Sequence, residues 1–298
     1  MKTKLTDYLE NGPIFITGHV DPDGDALGSA FALKIFLDSQ NIPSDVNFDI
    51  TTKLPSNLNH LPYHLISSDL SEKYNTVFVF DCGNSSRLGK YEEVVLEAEN
   101  VIVIDHHIDP SFGDIQIIDP DAASTTQVLF RQFKDENIRI NEEMANCLLT
   151  GLITDTGRFQ YSNTTSEVFY IAAELLDNGA NLSKISENIY GSIEFNALIL
   201  QSKIIERIVL NEGLQFAHSI VFQNDYKDYQ VGFEETDFLI DVVRLVKESR
   251  IVLLLKEQED GSFKGSLRSR GDIDVQKIAS IFGGGGHAAA SGFSSNQS

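Results

Sequence analysis

Asp105-His106-His107 sets an acid and two histidines side by side, directly after the apolar run Val101-Ile102-Val103-Ile104. Carboxylate and imidazole together can ligate a divalent ion or serve as acid and base. Similar groups follow other apolar segments. His19, Asp23 and Asp25 come after Ile14–Thr17, and Asp81 comes after Thr76–Phe80. Asp155 follows the helix-patterned segment Glu142–Ile153. Any one of these acids alone reads as a turn residue or helix cap. Gathered at one edge, Asp23, Asp25, Asp81, Asp105, Asp155 and the three histidines form a cluster whose carboxylates would repel one another if left bare. Two divalent cations would neutralise much of that charge, with Asp81 in the middle bridging them. A mixed oxygen and imidazole donor set suits manganese, iron, zinc or cobalt better than magnesium. Two such ions about 4 Å apart activate a water and clamp the oxygens of an in-line phosphoryl displacement.

The groups converge only if the apolar runs lie side by side. Val101–Ile104 reads as a strand buried on both faces, the kind found inside parallel sheets, with its polar triplet just past the C-terminal end. Strands are predicted at Ile14–Thr17, Val46–Ile50, Thr76–Phe80, Val101–Ile104 and Ile115–Ile118. Helices are predicted at Ala26–Leu37 (started by Asp25), Tyr91–Ala98, Ser124 or Thr125 to Phe133, and Glu142–Ile153 (capped by Asn141). This alternation implies an α/β fold, a doubly wound and mainly parallel sheet over residues 1–182. A helical linker over 183–208 leads to a smaller α+β domain over 209–298. There Leu214–Phe222 alternates like a strand and Thr236–Val246 is helical. Ile251–Lys256 and Ser262–Leu267 flank the turn Glu259-Asp260-Gly261. A helix Val275–Phe282 stops at Gly283-Gly284-Gly285-Gly286.

The chain has 298 residues, 44 acidic against 23 basic, and a formal net charge of -21. That balance argues against sequence-blind binding to long nucleic acid. Two cysteines, Cys82 and Cys147, make no disulfide framework. The N-terminus has no apolar signal core, and no segment approaches the ~20 apolar residues of a membrane span. A cytoplasmic protein with no membrane partner is expected.

His19-Val20-Asp21-Pro22-Asp23-Gly24-Asp25, Asp81, Asp105-His106-His107 and Asp155 resemble the four motifs of the DHH phosphoesterase superfamily, in order, over roughly the first 180 residues. That superfamily includes single-strand exonucleases, exopolyphosphatases, family II pyrophosphatases and cyclic-dinucleotide phosphodiesterases. The resemblance implies His19, Asp23 and Asp81 on one metal, and Asp25, Asp81, His106 and Asp155 on the second. It implies Asp105 orienting a histidine and His107 facing the substrate phosphate. Ser124-Thr125-Thr126 stands where related proteins keep small hydroxyl residues near the site. Ser124 and Thr125 are therefore expected to meet the substrate or, equally, to cap the helix that follows.

The second domain separates the branches of the superfamily. Arg268-Ser269-Arg270 lies at a strand end, and Gly284-Gly285-Gly286-His287 ends a glycine run whose backbone N–H groups can cradle an anion. Arg268 offers a bidentate fork for phosphate. Together they resemble the DHH-associated substrate domain, and the layout resembles the oligoribonuclease type. The implied substrates are very short RNA, dinucleotides and 3'-phosphoadenosine 5'-phosphate (pAp), cleaved by a hydroxide bridging two ions, manganese being expected. Family analogy also suggests a homodimer, and relatives carry a further strand and helix after the glycine–histidine motif. A cyclic-dinucleotide phosphodiesterase is the nearest alternative. A family II pyrophosphatase should carry a richer lysine/arginine clamp, and a non-catalytic nucleotide-binding protein should have lost ligands.

Overall fold

In the central strands, alternate residues serve two different cores. In β1 (Ile14–Gly18), β3 (Thr76–Phe80) and β4 (Asn100–Asp105), the side chains of Ile14, Ile16, Phe78, Phe80, Ile102 and Ile104 enter one core. Phe15, Val77, Val79, Val101 and Val103 enter the other. A strand covered on both faces has no polar side, which is why these runs read as unbroken apolar sequence. The computed structural model describes residues 4–9, 12–51, 53–107, 110–233 and 236–295, and the His287 side chain lies outside the described part.

β1, β3 and β4 pair in parallel, and β2 (Ser44–Val46) and β5 (Ile115–Ile118) complete the sheet in the order β2-β1-β3-β4-β5. The doubly wound parallel sheet expected from the sequence is the one that forms. β2 is shorter than predicted and starts earlier, because the Asn47 side chain accepts the Phe48 N–H at 2.8 Å and takes it out of the ladder. The chain leaves β1 for β2 on one side and returns through β3 on the other. The sheet therefore changes direction between β1 and β3, the place where open α/β sheets bind ligands beyond their strand ends.

The first core is closed by α1 (Gly24–Ser39), α3 (Thr125–Asp135), α4 (Glu142–Asp155), α5 (Ser166–Asp177) and α6 (Leu182–Ser186). α2 (Glu92–Leu96) closes the opposite face through Val95. α1 and α4 touch backbone to backbone. A Cβ at Gly28 would lie 2.4 Å from the Cys147 carbonyl oxygen, and one at Gly151 would lie 2.6 Å from Asp25 Oδ1. A larger residue at Gly28 would push α1 away from α4, and one at Gly151 would press on the Thr126 and Asp25 side chains.

The chain forms two compact units, Met1–Ser192 and Ile193–Ser298. Within 183–208, Ile185 and Ile189 pack into the first unit, whereas Ala197, Leu200 and Ile204 of α7 (Phe195–Glu206) pack into the second. The second unit holds a mixed sheet ordered β10-β11-β9-β8-β7-β6, with β6 (Val209–Asn211), β7 (Phe216–Val221), β8 (Ile251–Glu257), β9 (Phe263–Ser269), β10 (Gly285–His287) and β11 (Ala290–Ser295). α8 (Gln223–Tyr229), α9 (Leu239–Arg244) and α10 (Gln276–Ile281) are short. The predicted hairpin of β8 and β9 is antiparallel as expected. Among the described residues no helix is long and apolar enough to cross a membrane.

Candidate metal centre

The C-terminal ends of β1, β3 and β4 are neighbours, so His19, Asp81 and Asp105-His106-His107 meet at one edge. The N-cap of α1 is Asp23, not Asp25. Its Oδ1 accepts the N–H groups of Asp25 at 3.0 Å and Ala26 at 3.1 Å. Asp25 thus falls inside the first turn, where it is buried. Its two oxygens accept the N–H groups of Thr125 (2.5 Å) and Thr126 (2.9 Å) at the start of α3. Asp81 is the first residue after β3 and has a left-handed backbone, φ 55°. Asp tolerates that region better than most residues, though such a conformation persists only where the surroundings hold it.

Asp81 stands between two imidazoles. His19 Nε2 is 3.6 Å from its Oδ2, and His106 Nε2 is 3.5 Å from its Oδ1. His19 Nε2 is also 3.8 Å from Asp23, while His106 Nε2 is 3.3 Å from Asp155 and 3.9 Å from Asp25. His19, Asp23 and Asp81 form one donor group, Asp25, His106 and Asp155 another, and Asp81, Asp105, His106 and His107 a third, each spanning no more than 4.8 Å. Ligands bound at about 2.1 Å around one ion lie about 3.0 Å apart in an octahedron and about 3.4 Å apart in a tetrahedron. The spacing fits. So does the orientation of each ring. His19 Nδ1 is 2.8 Å from Val20 O, and His106 Nδ1 is 3.2 Å from Ala122 O. A carbonyl only accepts, so Nδ1 carries the proton and Nε2 is the atom turned to the acids.

Asp105 is buried and organises the triplet. Its Oδ1 accepts from the N–H groups of His106 (2.6 Å) and His107 (2.9 Å) and from His107 Nδ1 (2.7 Å). The His107 side chain is 22% exposed, against 6% for His106 and 7% for His19, so it is the histidine within reach of a substrate. Ser124 and Thr125 are fully buried. Ser124 caps α3 by accepting the Gln127 N–H at 3.1 Å, and the Thr125 hydroxyl donates to Asp81 Oδ1 at 3.1 Å. Capping, one of the two expectations, is what Ser124 does, while Thr125 holds Asp81. A residue the sequence did not flag, Asn163, ties two parts of the site together. Its Nδ2 donates to Asp155 O at 3.1 Å and to Ala123 O at 3.2 Å, next to the carbonyl that orients His106.

Charge within the cluster is strongly redistributed. Burial by itself would lower both histidines. For His19, hydrogen bonds and charge from Asp23 and Asp81 win and raise its pKa to about 10. For His106, Asp155, Asp25 and Asp81 raise it to about 11. Burial first, then Asp23 and Asp81, push Asp155 up to about 6. Burial with Asp155 and Asp81 pushes Asp25 well above the carboxylate range. Asp81 is held low, because three histidines outweigh its burial.

In the second unit several of the expected contact groups have partners within the protein. The Arg268 guanidinium meets the Leu267 carbonyl at 3.0 Å. Ser269 lies on the buried side of β9, with its hydroxyl 2.6 Å from Ile273 O, so it fastens a turn. Arg270 binds the carbonyls of Arg244 and Val246 at the end of α9. The glycine run is partly taken up in the sheet. Gly284 N–H donates to Ala279 O at 2.9 Å, and Gly285–His287 becomes the edge strand β10, paired with β11.

The DHH family N-terminal domain model matches residues 13–152, and the DHHA1 domain model matches residues 219–298. The bifunctional oligoribonuclease and PAP phosphatase NrnA of Thermus thermophilus is 33% identical over 287 residues, which is 94% of this chain and 83% of that protein. The chain belongs to the DHH family. Like the family, it is a hydrolase of phosphoester bonds. A second relative of this DHH protein, the probable bifunctional oligoribonuclease and PAP phosphatase NrnA of Streptococcus mutans, is 28% identical and covers 99% of this chain and 93% of that one. Among solved structures, an exopolyphosphatase-related protein from Bacteroides fragilis superposes with a TM-score of 0.90 at 26% identity, covering 98% and 90% of the two chains.

Proposed function

We propose that this DHH protein is a divalent-metal-dependent hydrolase of short oligoribonucleotides that also dephosphorylates pAp. The observation that carries the reaction is Asp81, one carboxylate aimed by its two oxygens at two imidazoles whose Nδ1 atoms are fixed on carbonyls. The likeness to NrnA of Thermus thermophilus supports the substrates. In this reading His19, Asp23 and Asp81 hold one ion, and Asp25, Asp81, His106 and Asp155 hold the other, with manganese the expected metal. When bound, two such ions would make a water acidic enough to attack at neutral pH and place positive charge beside the phosphate.

The chain supplies the rest. Asp105 keeps the His107 proton on Nδ1, which assigns Nε2 to the phosphate. Burial would lower the His107 pKa, but the Asp105 hydrogen bond and the charges of Asp81 and Asp105 raise it. These groups favour the protonated ring, and in that form His107 can donate from Nε2 to an oxygen that gains charge in the transition state. Arg268 and His287 are assigned to the nucleotide end. A net charge of -21 repels long nucleic acid and leaves short substrates to these few local groups. A manganese-loaded panel tests the substrate class: the dinucleotide pApA and pAp should turn over at least tenfold faster than longer RNA, cyclic di-AMP or pyrophosphate. Pyrophosphate as the best substrate would overturn the reading.

The redistributed charge makes a second expectation. The raised values of His19 and His106 stabilise the metal-free fold fully below the unfolded histidine pKa of about 6.5 and lose that contribution as pH rises toward about 10 and 11. Asp155 acts in the same sense at lower pH, since ionising it in the fold is costly up to about 6. Thermal melts of chelated protein should fall steadily between pH 6.5 and pH 10, and saturating manganese should remove most of the fall. Equal slopes with and without manganese would contradict the proposed ligand set.

A further inference from the structure

Directly after Asp155 and Thr156, three consecutive residues take left-handed backbone: Gly157 (φ 54°), Arg158 (62°) and Phe159 (61°). Glycine adopts this freely, but in arginine and phenylalanine the Cβ crowds the following carbonyl, so the neighbours must hold the turn. Most of the holding is local. Arg158 N–H donates to Ile153 O at 3.0 Å, and Phe159 N–H donates to Thr156 Oγ1 at 3.2 Å. The Tyr161 ring covers Gly157 so closely that a Cβ there would lie 2.2 Å from it. One contact reaches the end of the unit. The Arg158 guanidinium lies over the Tyr190 ring, 4.1 Å from its centroid. Tyr190 sits in the π-turn Glu187–Gly191, just before Ser192, the last residue of the first unit.

We propose that the Arg158–Tyr190 stack ties the segment joining the two units to the Asp155 side of the site, so that a change at one biases the other. Arg158 is then a positioning residue, acting through the strained turn on a carboxylate only three residues upstream. The inference rests on the reading of Asp155 as a metal ligand. A planar guanidinium suits a face-on stack in a way that a lysine ammonium does not. Coupling of this kind is reciprocal: if the joint segment positions Asp155, occupancy at Asp155 must steady the joint segment.

Two readouts on the full-length protein test it, manganese binding by calorimetry and amide hydrogen exchange over residues 187–191. In the wild type, manganese should slow exchange in that segment. Arg158→Ala and Tyr190→Ala should each weaken manganese binding by about tenfold, the usual size for groups that orient ligands, and should abolish the slowing. The double variant should be no weaker than either single one, because both remove the same contact. Tyr190→Phe, which keeps the ring, should behave as wild type and shows that the fold tolerates change there. Wild-type affinity in both alanine variants, or losses that add in the double variant, would overturn the proposal. Failure of the wild type to bind manganese would instead strike the ligand assignment of Asp155.

Discussion

Asp81→Ala should reduce hydrolysis of pApA by about 10³-fold or more while leaving the protein folded. The removed group faces both candidate ion positions, and loss of several kcal/mol of charge stabilisation corresponds to that factor at tenfold per 1.36 kcal/mol. The backbone effect is small by comparison. Alanine at φ 55° adds about 1 kcal/mol of strain, and Asp81→Asn, better suited to that conformation, separates the two contributions. Lost turnover at temperatures where the melting curves show the protein still folded is the expected result for both variants. Near-normal activity in Asp81→Ala would remove the shared carboxylate from the mechanism.

His107→Ala should lower kcat for pApA by about 10²- to 10³-fold, the cost of removing one donor from developing transition-state charge, and leave manganese affinity unchanged. The ring is the most exposed of the three, and its Nδ1 is engaged by Asp105 at 2.7 Å. The same experiment on His106→Ala should lower affinity and turnover together. If His107→Ala also lost manganese in proportion to its activity, His107 would be a ligand and not a donor to phosphate.

The strands and their chemistry were legible in the sequence for one physical reason. A parallel strand buried on both faces must be apolar throughout, so Ile14–Thr17, Thr76–Phe80 and Val101–Ile104 stand out, and the polar residues after them mark the strand ends. What could not be read are the properties that arise from partners distant in the chain. Nothing local says that Asp25 accepts the N–H groups of Thr125 and Thr126 a hundred residues away, or that Thr125 serves Asp81. The need for glycine comes from the contact of α1 with α4 at position 28, and from the Thr126 and Asp25 side chains at position 151. The partners of Ser269 and Arg270 are equally invisible in their residue types. Their orientation follows from β9 alternation and from the turn that β9 runs into, and both are spent on carbonyls. The left-handed run at Gly157-Arg158-Phe159 has only its glycine as a local signal.

The central claim, a pair of divalent ions shared by Asp81, is met most directly by reconstitution. Chelated and dialysed protein is titrated with manganese while bound metal per chain and pApA turnover are followed together. The account predicts no turnover at the start, two ions bound per wild-type chain at saturation with activity rising as the second binds, and neither full occupancy nor activity in Asp81→Ala. Full turnover by the chelated wild type, or by Asp81→Ala at saturating manganese, would contradict it.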